Sequence, residues 1–333
     1  MGQPRVLSIV RRLLQRSAVP HALLFTGIEG VGKRTTARAF AMALNCRAAE
    51  NDRGDPAEQD FCGRCAECRR IAGDSHPDIL QVNPQKGILR IDQVREVLAT
   101  LALKPFSARR RVVIFADAHT LNPEAGNALL KVLEEPPDDS VLILTARQRS
   151  DLLPTIVSRC RHIRFSPLAA DVLAALLSAD HGLEPQQAAV VAQAAEGSYT
   201  RALALADAHW ERQRDWVIGA IGLDRGAPPE EGCTTMALAY AADLARSKDL
   251  VEARLEMLKT WLRDLSVRPY APRGVINQDR ADALDAARAR LDDRRLLALW
   301  DAVEQAHKNI AANGNLRLTL DVMALRMADL LAA

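Results

Sequence analysis

A chain of 333 residues, 48% hydrophobic and 26% charged, has room for two or three domains and the composition of an ordinary soluble globular protein. Its 44 basic and 42 acidic residues leave a net charge of +2, which excludes a general electrostatic field for nucleic acid and makes any such contact local or shared with partners. No apolar run is long enough for a membrane span, and the N-terminal MGQPRVLSIVRRLLQRS lacks an apolar signal core and cleavage site, so a cytoplasmic protein is expected. With aromatics at only 4%, the core must be built mainly from Ala, Leu, Val and Ile.

In chain order, residues 5–17 read as an amphipathic helix with Leu7, Val10, Leu13 and Leu14 on one side. His21 to Thr26 reads as a buried strand. It leads into a turn holding Gly27, Gly30 and Gly32 and then a helix with Ala37, Phe40, Ala41 and Leu44 at helical spacing. Residues 46–77 interrupt this pattern with a polar, cysteine-bearing insertion, and Ile79–Val82 is a short second strand. Asp92 is expected to N-cap a helix reaching about Leu103, with Val94, Val97, Leu98 and Leu101 inward. RVVIFADAH (111–119) is the third strand and ends in Asp117. Asn122-Pro123 supplies an N-cap and a first-turn proline for a helix that stops before Pro136-Pro137. SVLILTA (140–146) is a fourth strand, a short helix covers Leu152 to Val157, and a fifth strand lies near His162 to Phe165. Five short strands alternating with helices predict an α/β fold with a parallel sheet covered on both faces.

Beyond Pro167 the strand signal stops. Residues 168–208 read as a small helical unit with Gly182 and Gly197 as stops, and a Gly/Pro-rich loop follows at 222–232. Three apolar stripes fill the last hundred residues: Val251, Leu255, Leu258, Leu262, Leu265; Leu296, Trp300, Val303, His307, Ile310; and Leu316, Leu320, Met323, Met327, Leu330. They predict a helical bundle with each stripe as internal core, His307 included as a packed histidine. The expected partition is a P-loop nucleotide-binding-like domain over 1–166 with its insertion at 46–77, a helical lid over 167–208, and an all-α bundle over 209–333.

Three constellations carry chemistry. Strand, glycine turn and helix give Gly27-x4-Gly32-Lys33, a loop whose N–H groups can close around a polyphosphate with Lys33 meeting its β and γ phosphates. Arg34 stands where a Ser or Thr hydroxyl would hold Mg²⁺, and Thr35 comes one residue late. Asp117, ending a buried strand, is placed either to hold Mg²⁺ or to cap the next turn, and Ala118 replaces the carboxylate that polarises water in active ATPases of this type. Thr145 is placed to sense a γ-phosphate or to satisfy a local backbone group. Second, Cys62-x2-Cys65-x2-Cys68 supplies three thiolates for a closed, structural zinc site, with Cys46 as fourth ligand and His76 as the alternative. An iron–sulfur run would need a further cysteine and proline where Ala72-Gly73 stands. Cys160 and Cys233 are isolated and expected to be buried. Third, Arg159 lies between the short helix and the last strand, placed either to reach a neighbouring subunit's nucleotide or to be a surface charge. Lys104, Arg109, Arg110 and Arg111 read as a solvated basic face.

GIEGVGK, the C…CGRCAEC insertion, LRIDQVREV, NALLKVLEEPP and TIVSRC, in this order, resemble the AAA+ clamp-loader subunits of bacterial DNA polymerase III. The resemblance is specific over residues 1–165, weakens through 166–208, and beyond that rests on helix pattern and Asn315-Leu316-Arg317-Leu318. It implies a part in an arc of subunits that loads the sliding clamp onto primed DNA in an ATP-dependent way. Motor (tau/gamma-type) and delta subunits would be the partners, and the C-terminal bundle would form a shared collar. Motor members keep Ser/Thr after the loop lysine and Asp-Glu on the acidic strand; Arg34 and Ala118 depart from both. The resemblance therefore implies a non-hydrolysing stator with little or no ATPase of its own, and makes ATP and Mg²⁺ doubtful ligands for Gly27, Gly30, Gly32, Lys33, Thr35, Asp117 and Thr145. By the same resemblance Arg159 is the arginine that completes an adjacent subunit's ATP site. The family's lid arginine, in Gly-Ser-x-Arg, finds Thr200 in its place and Arg201 one position late. The alternatives are an active motor subunit of the same loader or a free-standing DNA-repair ATPase.

Overall fold

The structure is a computed structural model and describes residues 2–15, 19–48, 61–207, 210–227, 233–312 and 314–332. The chain forms two compact units, Met1–Val172 with Gly197–Thr200, and Leu173–Glu196 with Arg201–Ala333.

The first unit is a five-stranded sheet of β1 (Ala22–Thr26), β2 (Ile79–Val82), β3 (Arg111–Phe115), β4 (Ser140–Ala146) and β5 (Arg161–Arg164). The spatial order is β2-β3-β4-β1-β5, with every pairing parallel. Its helices are α1 (Pro4–Gln15), α2 (Lys33–Asn45), α3 (Ala66–Ala72), α4 (Ile91–Leu101), α5 (Pro123–Glu134) and α6 (Pro154–Arg159). Alternate strand residues feed opposite faces, as the pleat requires. Leu24, Val113, Phe115, Leu142 and Leu144 pack under α4, α5 and α6, whereas Leu23, Phe25, Val112, Ile114, Val141 and Ile143 pack under α1 and α2. A glycine loop after β1, in a sheet of this order, gives the AAA+ P-loop arrangement that the resemblance implies. The Asn122 side chain accepts from Ala125 N–H at 3.0 Å and caps α5, with Pro123 in the first turn. Asp92 does not cap α4: Arg90 takes that position, and Gln93 Oε1 accepts from Arg90 N–H at 3.1 Å. The helix also stops at Leu101, two residues short of the expected end, and Leu103 is exposed.

The remaining helices are α7 (Ala170–His181), α8 (Pro185–Ala194), α9 (Tyr199–Asp207), α10 (Trp210–Gly219), α11 (Cys233–Ala245), α12 (Lys248–Val267), α13 (Ala281–Arg288), α14 (Asp293–Ala311) and α15 (Leu316–Ala332). Among the described residues the C-terminal region is mostly helical, with α15 packed on α11 and α14, and α14 on α12. The α12 stripe is buried from Val251 to Leu265 as expected, and Leu320, Met323 and Met327 are buried on α15. On α14 the inward face is rotated: Leu296, Leu299, Ala302, Val303 and Ala306 are buried, while Trp300, His307 and Ile310 are only half-buried. His307 is therefore no core histidine. Its Nδ1 lies 2.6 Å from Lys259 Nζ and 3.3 Å from Glu256, inside a polar network on the bundle's flank. Deeper in the second unit, the Arg214 guanidinium binds Asp279, Asp215 and Asn277 while stacking on Trp210. Among the described residues no helix is long and apolar enough to cross a membrane.

Candidate functional sites

The glycine loop joins the C-terminal end of β1 to the N-terminus of α2. Gly30 has φ +76°, and a Cβ there would come within 2.4 Å of Ser198 Oγ and 2.7 Å of Thr200 N. Only glycine fits, because the segment 197–200 lies directly over the loop and Tyr199 N–H donates to Gly30 O at 3.1 Å. Gly32, at φ +92°, turns the chain into α2, and Gly27 N–H donates to Arg147 O at 3.0 Å beside β4. Lys33 folds back: its ammonium donates to Gly27 O at 2.6 Å and Ile28 O at 2.7 Å. Burial pushes its pKa below the usual lysine value, with Asp117 and Glu29 opposing the shift. Thr35 lies in the first turn of α2 and is exposed.

Asp117 sits two residues beyond β3 in the left-handed region, at φ 49° and ψ 50°, a conformation that aspartate tolerates better than most residues. Thr145 Oγ accepts its N–H at 3.0 Å, so the threonine fully buried at the end of β4 serves a backbone group. The Asp117 carboxylate is then taken by the Arg34 guanidinium in an ion pair across 83 residues of sequence. Mg²⁺ requires oxygen ligands in near-octahedral geometry. Here a cation occupies the carboxylate and no hydroxyl stands after Lys33, so these residues do not fit the metal.

The cysteine insertion is described from Phe61 onward, with Cys46 at the C-terminal end of α2; residues 49–60 of the expected insertion lie outside the described residues. The sulfurs of Cys46, Cys62, Cys65 and Cys68 all lie within 4.8 Å of one another, a set able to hold one metal ion. Backbone N–H groups point at them, from Cys62 to Cys46 Sγ at 3.4 Å, Cys65 to Cys62 Sγ at 3.3 Å and Cys68 to Cys65 Sγ at 3.5 Å. Such donors favour thiolates. Burial alone would raise the Cys65 thiol, but hydrogen bonds from the Cys68 and Arg47 backbones and from neighbouring thiols bring it down to about 6. Burial and its thiol neighbours push Cys68 the other way, as expected where close sulfurs share protons. Four soft ligands leave no open position for a reacting group, so the fit is to a structural metal.

His76, the alternative ligand, is committed elsewhere. Its Nδ1 accepts Asp78 N–H at 3.0 Å, which leaves the proton on Nε2, 2.7 Å from the Glu67 carboxylate. Asp78 in turn accepts from Phe106, Ser107 and Ala108 N–H at 2.8, 2.8 and 3.0 Å and from Arg111 at 2.9 Å. Sequence spacing gave no sign of this buried chain from Glu67 to Arg111. It also corrects the solvated basic face: Arg111 is 5% exposed and donates to Leu103 O and Lys104 O, whereas Lys104 and Arg109 are exposed. Cys160 is half-buried, with burial pushing its thiol up to about 12; the side chain of Cys233 lies outside the described residues.

Arg159 is the last residue of α6. Its guanidinium donates to Thr155 O at 3.0 Å and pairs with Glu134, the last residue of α5, at 2.6 Å. The side chain is 35% exposed, held at the rim rather than buried. Arg201, in the second unit, pairs with Glu196 at 3.1 Å and Glu256 at 3.5 Å.

The model of the family described as DNA polymerase III, delta subunit, matches residues 2–169. The chain is similar to DNA polymerase III subunit delta' of Pseudomonas aeruginosa, 40% identical over 147 residues that cover 44% of this chain and 43% of the relative. It is also similar to the delta' subunit of Bacillus subtilis, 31% identical over 166 residues, covering 50% and 48%. DNA polymerase III subunit tau of Escherichia coli is 34% identical over 214 residues, covering 62% and 32%. The matched region thus spans less than half the length of each of these relatives. Among solved structures, a gamma subunit-related protein of DNA polymerase III from Thermotoga maritima aligns over 96% of this chain and 98% of its own, with a TM-score of 0.43 and 19% identity.

Proposed function

The chain belongs to the DNA polymerase III delta-subunit family, and from that premise we propose that it is a delta-prime-type stator of the replicative clamp loader, a subunit that assembles with motors without hydrolysing ATP itself. The Arg34–Asp117 ion pair carries this reading. It removes the metal position from the chain's own loop, and Ala118 offers no carboxylate to polarise water. Little or no intrinsic ATPase follows. The partners are motor subunits of the tau/gamma type and a delta subunit, acting on the sliding clamp and on primed DNA in the cytoplasm. Residues 1–166 serve as the AAA+ domain, 167–208 as a lid and 209–333 as the collar through which the subunits assemble. Zinc fills the cysteine set and folds the insertion, since metal binding and local folding are coupled.

Arg159 serves the neighbouring subunit. A guanidinium offers fixed, permanently charged donors to phosphate oxygens, and an arginine supplied in trans is worth about 10³–10⁵ in phosphoryl transfer. Its position at the end of α6, braced by Glu134, suits a side chain that must project from a rigid base. The test is Arg159→Ala in the reconstituted loader. Assembly and metal content stay intact, clamp- and DNA-stimulated ATPase falls in part because other sites keep their own arginines, and clamp loading falls further. Arg159→Lys restores little, as an ammonium lacks the planar fork. A fully assembled Arg159→Ala loader with wild-type ATPase and clamp loading refutes the trans role.

A further inference from the structure

We propose that Glu134 is a positioning residue for the trans arginine: its carboxylate, at the end of α5, fixes the plane in which the Arg159 guanidinium meets the neighbouring subunit's phosphate. The inference rests on the trans reading of Arg159, and its test separates the failure of one from the failure of the other.

Glu134 ends α5 and Glu135 caps it, just before Pro136-Pro137. Acids at the C-terminal end of a helix face the negative end of its macrodipole and are disfavoured there, so helix stability gives position 134 no reason to be acidic. The end of α5 is nevertheless firmly seated. His21 Nε2 donates to Leu133 O at 3.2 Å, and Glu135 N–H donates to Lys131 O at 3.0 Å. Leu129, Val132 and Leu133 are buried with Ile156 of α6 in one apolar cluster. Gly126 lets the two helices approach, since a Cβ there would stand 3.1 Å from Leu153 Cδ1, just before α6 begins. The Glu134 carboxylate thus starts from a backbone whose distance to α6 is set by packing.

A guanidinium carries five N–H donors in one plane. Arg159 Nη1 donates to Thr155 O at 3.0 Å and to Ser158 Oγ at 3.3 Å, and Nη2 donates to Glu134 at 2.6 Å. Three donors are engaged, and two remain for phosphate oxygens. Thr155 and Ser158 lie on the arginine's own helix. Among the described residues Glu134 alone ties the guanidinium to a second element. Ties to one helix leave the plane free to swing about that helix, and a tie to a second one stops the swing. With side chains 35% and 51% exposed, the ion pair adds little to stability, so what it fixes is direction. Phosphoryl transfer depends on such placement, because an error of about 1 Å in a positioned group can cost about 10²-fold.

The test is a double-mutant cycle in the reconstituted loader with Glu134→Gln, Arg159→Ala and both together. It reads clamp- and DNA-stimulated ATP turnover and KM for ATP, with the melting midpoint of each full-length chain measured alongside. Glu134→Gln is expected to keep or raise the midpoint, because it removes an anion from the end of α5, and yet to lower turnover by roughly twofold with KM unchanged. Glu134→Asp, which keeps the charge, is expected to recover part of that loss. Added to Arg159→Ala, Glu134→Gln is expected to change nothing further, since no guanidinium is left to position. Wild-type turnover in Glu134→Gln beside an impaired Arg159→Ala overturns the positioning role and leaves the trans role standing. A loss that adds in full to that of Arg159→Ala, a midpoint that falls in step with turnover, or a change confined to KM overturns it as well. Wild-type turnover in Arg159→Ala overturns the trans reading, and the positioning role with it.

Discussion

Removing the Asp78 carboxylate strikes a heavily used acceptor of the first unit. Asp78 takes three backbone N–H groups and the Arg111 guanidinium, with its side chain 1% and that of Arg111 6% exposed. Asp78→Ala leaves a buried guanidinium without its counter-charge and three amides without their acceptor, a class of change that costs about 3–5 kcal/mol. The acid limb gives an independent measure. Burial alone would raise the Asp78 pKa, but the Ser107, Ala108 and Phe106 N–H groups and Arg111 lower it from 3.8 to about 2. A carboxylate whose folded pKa lies below its unfolded value contributes stability that is fully present above about pH 4 and is lost as pH falls toward 2. A shift of roughly two units corresponds to about 2.5 kcal/mol. Urea titrations of wild type and Asp78→Asn between neutral pH and pH 2 should therefore converge: the variant starts weaker and loses less on acidification. Parallel loss of stability in the two proteins, or an Asp78→Ala variant within about 1 kcal/mol of wild type at neutral pH, contradicts the reasoning.

Two further outcomes follow from described contacts. Elemental analysis should find one zinc per wild-type chain and less than about half an equivalent in Cys68→Ser, because a tetrathiolate site tolerates no missing ligand; iron in place of zinc overturns that assignment. Asn122→Ala removes the α5 cap bond to Ala125 and should cost about 1 kcal/mol, seen as a drop of roughly 2–4 °C in the melting midpoint, while Asn122→Asp leaves it near wild type; equal midpoints for all three mean the cap is dispensable.

What could be read from the sequence followed short-range rules. The five strands, the glycine turn and the proline-started α5 are patterns of neighbouring residues, and each appears within a few positions of where it was expected. The cysteine triplet sits in seven residues, and its chemistry is local too. The misreadings came where a side chain's partner lies far along the chain or around a helix. Asp92 has the right chemistry for a cap, but the chain enters α4 two residues earlier, at Arg90. Arg111 belongs to a run of cations, yet its turn toward Asp78 depends on β2 lying beside β3, which no run of charges reveals. A four-three stepping fits two adjacent faces of α14 almost equally well, and the neighbouring helices select the one carrying Leu299 and Ala306 rather than Trp300 and His307. Arg34 departs visibly from the loop pattern, but its meeting with Asp117 lies 83 residues away in sequence, beyond what local spacing shows.

The helix α2 begins at Lys33 and ends at Asn45, with Cys46 as its C-cap. At thirteen residues it is a stiff rod of about 20 Å. One end is tethered by the ion pair and the loop carbonyls, the other by a sulfur of the four-cysteine set that is able to hold a metal. A beam clamped at both ends transmits slack from either clamp to the other. Oxidants that cross-link these thiols, or chelators that strip their metal, would loosen the far clamp first. The glycine loop would then hang on a helix less firmly seated at its other end.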